Sequence, residues 1–249
     1  KYLIAEEFYL KAINVEESKY QPDKIFIYDT YLKLADLYIF KNISNKNDAL
    51  IIIDELINKS PLKPEAYYWK AWYYYGTGLG SNQSLKKALV NINLAIELAE
   101  NKYYYNLRAV LYKELEQYKA AINDYTSAIK IDSLDYSIIS NRAKIYGLSG
   151  NLIEAKTDFE LALSIAKGDQ KSFVYKNMGQ FYESINNNLK AKLYYERAIS
   201  FDNKKFNNYV DLVDVLDKIN NGPNLEGLNV FNNVLEVNPD NHYLLDTRG

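Results

Sequence analysis

Residues 102–135 read KYYYNLRAVLYKELEQYKAAINDYTSAIKIDSLD and residues 136–169 read YSIISNRAKIYGLSGNLIEAKTDFELALSIAKGD. Laid over one another, Ala109 falls on Ala143, Tyr112 on Tyr146, Ala121 on Ala155, Tyr125 on Phe159 and Ala128 on Ala162. The self-similarity recurs every ~34 residues, a spacing that marks a stack of small structural units. After a short insertion the register continues into 172–205, where Gly179, Tyr182, Ala191, Tyr195 and Ala198 fill the same places. Each unit divides into two stripes at i, i+4 and i+7: Tyr105, Ala109 and Tyr112, then Ala121, Tyr125 and Ala128. That spacing puts each set on one face of a helix. Ala or Gly beside a ring lets two backbones approach while the ring fills the space alongside. One helical hairpin cannot bury its own stripe, so successive hairpins must stack.

These positions resemble the tetratricopeptide repeat family, in which a large residue, Leu, Gly or Ala, and Tyr mark the first helix, and Ala, an aromatic and Ala mark the second. Upstream, Tyr67, Ala71 and Tyr74 pair with Ala88, Ile92 and Ala95, and Tyr31, Leu34, Ala35 and Tyr38 pair with Ala49, Ile53 and Leu56. Downstream, Tyr209, Leu212, Val213 and Leu216 pair with Phe231, Val234 and Pro239 across an enlarged NNGPN turn, with Leu225 or Gly227 standing where Ala is expected. The resemblance implies an all-α, right-handed solenoid of antiparallel helix pairs running through 1–249 as one array. Its expected full repeats are 28–63, 64–101, 102–135, 136–169, 172–205 and 206–241. AEEFYLKAI carries the second-helix signature Ala5, Tyr9 and Ala12, so 1–17 reads as a partial repeat, and 242–249 as the opening of a further one within a longer parent chain. In YYYGTGLGSNQSLKKAL, Gly76, Gly78 and Lys87–Ala88 resemble the Sel1-like subclass of these repeats. A phosphate loop would have to follow a strand, whereas GTGLGS follows a helix; we read it as a turn with Gly76 as the helix stop.

Composition narrows the chemistry. The chain has 249 residues, no Cys, one His and a formal net charge of −2, which leaves little material for nucleophile–base pairs or zinc sites and no bulk attraction to phosphate backbones. No apolar run approaches the ~20 residues of a membrane span. No catalytic residue, cofactor or metal is expected, and nucleic acid is not an expected partner. The single histidine, His242, stands near the chain end, and Asp211, Asp214 and Asp217 read as a solvated stripe. The Asn-x-Ser triplets at Asn42, Asn58 and Asn82 read as chance in an Asn-rich chain. The compartment is left open between cytoplasm and, for a bacterial source, periplasm or envelope.

What remains is surface shape. The resemblance implies that first helices line a concave groove that holds a peptide or protein segment, as a non-catalytic scaffold within a larger assembly. In YYWKAWYYYG (67–76), Tyr67, Ala71 and Tyr74 belong to the interior stripe and Trp69 and Tyr73 to the flank against a neighbouring repeat. Tyr68, Trp72 and Tyr75 are left for the groove. Following the same stripe gives Asn106 and Lys113, then Asn141 and Lys144, then Lys176, Asn177 and Gln180, then Asp214 and Asp217. The family's two-carboxylate clamp is matched only in fragments by Lys176 and Asn177, so its partner is not carried over. Two other readings stand beside the scaffold: a glycan-binding module using the ring cluster, and the regulatory arm of a larger enzyme or sensor.

Overall fold

The computed structural model describes residues 2–40, 46–78, 81–223 and 225–237, which form thirteen helices and no strand. His242, Pro239 and the expected repeat opening at 242–249 lie outside the described residues, as do the side chains of Phe231 and Val234. The helices gather into two compact units, Lys1–Ile131 and Asp132–Gly249.

The first unit holds α1 (Tyr2–Glu17), α2 (Lys24–Phe40), α3 (Lys46–Lys59), α4 (Pro64–Thr77), α5 (Asn82–Leu98), α6 (Lys102–Glu114) and α7 (Tyr118–Ile131). α2 pairs with α3, α4 with α5 and α6 with α7, while α2, α4 and α6 pack first helix on first helix. The second unit repeats the plan with α8 (Tyr136–Leu148), α9 (Leu152–Ile165), α10 (Gln170–Ser184), α11 (Asn188–Phe201), α12 (Phe206–Asn220) and α13 (Leu225–Val237). Here α8 pairs with α9, α10 with α11 and α12 with α13, and α8 lies against α10.

The small-and-large stripes form the interior of each unit. Ala109, Ala121, Ala128, Ala143, Ala155, Ala162, Ala191 and Ala198 are fully buried, as are Tyr125, Phe159 and Tyr195 in the corresponding second helices. At Gly179 a Cβ would stand 2.5 Å from the Tyr195 ring, so where the register replaces Ala by Gly the ring occupies the space a side chain would take. In the last hairpin Gly227, not the exposed Leu225, occupies the small-residue place: it is buried, and a Cβ there would meet Val213 Cγ1 at an ordinary 3.5 Å.

The hairpin turns repeat as well. Glu116, Gly150 and Asn186 stand at one register position, all with φ between 57° and 82°. The next amide closes each turn, Gln117 onto Tyr112 O, Asn151 onto Tyr146 O and Asn187 onto Tyr182 O, each at 2.8 Å. This left-handed cap satisfies carbonyls that the ending helix would otherwise leave bare. In the glycine-rich unit the helix stop is Gly78 rather than the expected Gly76. A side chain at 78 would collide with Ser84 Cβ at 2.0 Å and Tyr74 O at 2.8 Å, whereas Gly76 has open space around it.

Two hairpins carry a further bond. Arg108 donates from Nε and NH2 to both carboxylate oxygens of Asp124 at 2.8 and 2.7 Å, and from NH1 to Asn93 at 2.8 Å. Arg142 grips Asp158 in the same two-pronged way at 2.7 and 2.8 Å. The third copy has Met178 and Tyr194 in those places and stacks Tyr194 on Tyr182 instead, ring centres 5.1 Å apart.

Candidate functional site

The first helices of the second unit bring several of the expected groove residues together. Asn141 and Lys144 on α8 and Lys176, Asn177 and Gln180 on α10 line one cleft of ≈ 580 Å³. Phe173, Lys205, Phe206, Asn207 and Asn208 complete it. The helical repeat explains the convergence: successive first helices carry these residues at matching turns, so neighbouring helices present them side by side.

The side chains are bonded across repeats. Asn177, 3% exposed, donates from Nδ2 to Ser140 Oγ at 2.9 Å and to Asn141 Oδ1 at 3.2 Å. Asn208 donates in the same manner to Ser172 Oγ at 2.9 Å. Lys144 Nζ reaches Gln180 Oε1 at 3.0 Å, and Lys176 pairs with Asp211 at 3.0 Å. These rungs fix the rotamers of the cleft walls and hold ammonium and amide groups at its rim. Lys205, at the start of α12, pairs with Asp202 at 3.2 Å.

Asp214 and Asp217 stand farther along α12 and do not line the cleft. Partial burial, and then Asp211 and other nearby carboxylates, raise the Asp214 carboxyl above the ordinary range, although the residue as a whole stays open to solvent. Beside it Lys218 donates to Glu183, which also accepts from the Tyr195 hydroxyl at 2.7 Å. The hydrogen bond to Glu183 raises the Lys218 ammonium. Among the described residues no group of three or more His, Asp or Glu side chains is arranged to hold a metal ion.

In the first unit the ring cluster divides between two interiors. Tyr73 is buried and Trp69 partly buried in the core built by α1, α2 and α3, and Tyr73 donates to Asn47 Oδ1 at 3.5 Å. Tyr67 and Tyr74, expected inside, are only partly buried; Tyr67 donates to Pro61 O at 3.1 Å. Tyr68, Trp72 and Tyr75 are half-buried against the core that includes Tyr104, Leu107 and Leu111 of α6. Tyr68 lies 5.1 Å from Tyr104 and 6.4 Å from Trp72, and Trp72 lies 5.6 Å from Tyr75, ring centre to ring centre. The neighbouring first helix therefore screens one side of each ring.

Tyr75 donates to Glu114 Oε1 at 3.3 Å, and Lys113 holds the same carboxylate at 2.6 Å. Burial, and then Glu114, push the Tyr75 hydroxyl up to about 12, and burial raises Tyr68 as well. Asn106 lies on α6 at the place equivalent to Tyr68, and its Oδ1 is buried with no hydrogen-bond donor.

Sequence reading missed Phe173, Lys205, Phe206, Asn207 and Asn208. The expected stripe runs through the middle of each helix, whereas these residues stand in first turns or at a cap. The signal was present: Asn208, like Asn177, stands on a first helix opposite a serine of the preceding one.

Comparison with known proteins agrees with the architecture. Residues 103–133, 136–169 and 174–205 match the family model of the tetratricopeptide repeat. Human tetratricopeptide repeat protein 6 is 28% identical over 136 residues, 54% of this chain and 26% of that protein. The chain thus spans about a quarter of that human relative's length. An uncharacterized protein of Porphyra purpurea, ycf37, is 29% identical over 136 residues, 53% of this chain and 72% of that protein.

Among solved structures, a thermophilic tetratricopeptide repeat protein of Thermus thermophilus superposes with a TM-score of 0.62 at 18% identity, covering 76% of this chain and 98% of that one. YrrB, described as having an unusual peptide-binding site, gives 0.52 at 20% identity over 80% and 95% of the two chains. The Cut9–Hcn1 hetero-tetramer of APC/C gives 0.64 at 14% identity over 97% and 45%. The internal period, the alternating small and aromatic stripes, the paired helices and the matched repeats agree: residues 103–205 carry tetratricopeptide repeats, and the described helices have the all-α architecture of that fold.

Proposed function

We propose that the chain is a non-catalytic scaffold that docks a segment of another protein along its first helices, with the cleft of α8, α10 and α12 as a principal contact. One observation carries this reading. Five of the residues expected in the groove, Asn141, Lys144, Lys176, Asn177 and Gln180, line a single cleft. The carboxamides of Asn141, Gln180 and Asn207, which are not buried, can both donate and accept, which suits the alternating groups of an extended backbone. Lysines at the rim suit an acidic side chain or a terminal carboxylate. Phe173 and Phe206 add apolar contact of the kind that anchors interfaces.

In the first unit Tyr68, Trp72 and Tyr75 supply further anchors through the faces that α6 leaves open, with Asn106 and Lys113 beside them. The peptide-binding site attributed to YrrB and the assembly described for Cut9–Hcn1 are consistent with such a role.

Selection of peptides from a random display library against the full chain tests the reading. Peptides that bind the native chain should lose about tenfold or more in affinity on the Lys144→Glu, Lys176→Glu double variant, since two attractions become repulsions. Binding unchanged in that variant would refute the cleft as the contact.

A further inference from the structure

The first unit contains a second cleft with a different chemistry. It measures ≈ 590 Å³ and lies where the end of α1, the start of α2 and the end of α3 meet. Its wall is apolar, formed by Ile27, Tyr28, Tyr31 and Leu56, with Ile25 beside it 67% exposed. The link from α1 to α2 runs from 18 to 23, longer than the three- or four-residue links that lead into α4, α6, α10 and α12. Pro22 of that link edges the opening.

That link is held in place. Glu16 accepts from the Asp23 amide at 2.9 Å and pairs with Lys19 at 2.5 Å. Asp23 in turn accepts from the Ile25 and Phe26 amides at 2.9 and 3.0 Å, capping α2. These bonds fix the link and the start of α2 at the edge of the cleft.

Charge and hydrogen-bonding capacity select the occupant. Three lysines, Lys24, Lys59 and Lys63, surround the cleft against one carboxylate, Glu17. Lys63 Nζ lies 3.9 Å above the Tyr28 ring, so its ammonium rests on an aromatic face of the cleft wall. Lys59 is shared with Glu55 at 2.5 Å. No Asn or Gln lines this cleft, in contrast to the cleft of the second unit. A peptide backbone laid here would find only the Ser60, Tyr28 and Tyr31 hydroxyls for its amides and would leave the rest unpaired, which is costly, whereas a hydrocarbon chain has none to satisfy. We propose that this cleft binds the anion of a medium-chain fatty acid, its carbon chain on Ile27, Tyr31 and Leu56 and its carboxylate among Lys24, Lys59 and Lys63. This site is separate from the segment-docking cleft and does not depend on that reading.

Calorimetric titration of the full chain with sodium decanoate, below its micelle concentration and at low salt, tests the assignment. Decyltrimethylammonium and the tetrapeptide acetyl-Ala-Ala-Leu-Phe with a free carboxylate serve as competing probes. Decanoate should bind at least tenfold tighter than either. Lys24→Glu with Lys63→Glu should weaken it about tenfold or more, as expected for charge reversal near a partly solvated anion. Ile25→Glu, at an exposed position, should weaken it similarly without unfolding the chain. Val90→Glu on α5, where Val90 is 60% exposed, should leave it unchanged. Equal binding of the cationic amphiphile, tighter binding of the tetrapeptide, or equal weakening by Val90→Glu would each overturn the proposal.

Discussion

Replacing Gly179 by Ala is the sharpest probe of how the hairpins close. The added Cβ would stand 2.5, 2.6 and 2.9 Å from three ring atoms of Tyr195. Carbon atoms sit comfortably at 3.5–4.0 Å, so the ring or α10 must shift by roughly 1 Å. The ring has nowhere easy to go: Tyr195 is 0% exposed and its hydroxyl donates to Glu183 at 2.7 Å. Overpacking of this kind costs about 1–3 kcal/mol. Loss or distortion of a hydrogen bond to a carboxylate adds about 1.5–3 kcal/mol. Against these, Ala in place of a helical Gly gains about 1 kcal/mol.

The balance is a destabilisation of about 2 kcal/mol or more, even though Ala109 and Ala143 occupy the same register position in neighbouring repeats. Urea denaturation followed by circular dichroism measures the total. Amide exchange should localise the loss to α10 and α11, because repeat arrays open locally. Tyr195→Leu in the Gly179→Ala background should cost less than the sum of the two single changes. A Gly179→Ala variant stabilised by about 1 kcal/mol would show that helix propensity alone governs the position and would refute the close-approach argument.

Other perturbations read other parts of the structure. Asp124→Ala leaves the partly buried Arg108 guanidinium without its two-pronged partner and should cost about 3–5 kcal/mol, with a double-mutant cycle against Arg108→Ala showing strong coupling. Ala143→Leu should overpack a fully buried helix crossing and cost about 1–3 kcal/mol by the same denaturation assay. Joint replacement of Tyr68, Trp72 and Tyr75 by Ala should lower the melting temperature, because each ring packs against the core shared with α6; an unchanged melt would mean that the rings stand free of it. Asp214→Asn should raise stability at pH 7. A carboxyl raised in the folded state makes its ionised form unfavourable there, so the advantage over the native chain should shrink as pH falls through the raised value toward the ordinary carboxylate range, and an advantage that grows in acid would contradict the assignment.

The repeat plan was legible because its signal is local and recurs. Ala109 with Tyr112, or Ala155 with Phe159, reports helix spacing directly, and three copies in register remove ambiguity. Contacts across helices leave no such trace. Arg108 and Asp124 look like ordinary surface charges until the hairpin turns them toward each other, and the left-handed turn residue is Glu116 in one copy, Gly150 in the next and Asn186 in the third.

The ring cluster shows the same boundary. Helical phase told which face Tyr68, Trp72 and Tyr75 share, but not how far α6 would reach over them. The cleft of the second unit was found in part for the complementary reason. Asn141, Lys144, Lys176, Asn177 and Gln180 follow the register, while Phe173, Asn207 and Asn208 enter through helix starts whose positions vary with link length.

The central claim is that the first helices, rather than the second, present the docking surface. Hydrogen–deuterium exchange of the full chain with and without a library-selected peptide tests it most directly. The account predicts added protection on α8, α10 and the first turns of α12, centred on Asn141, Asn177 and Asn208. Protection confined to the outward sides of α9, α11 and α13 would contradict it.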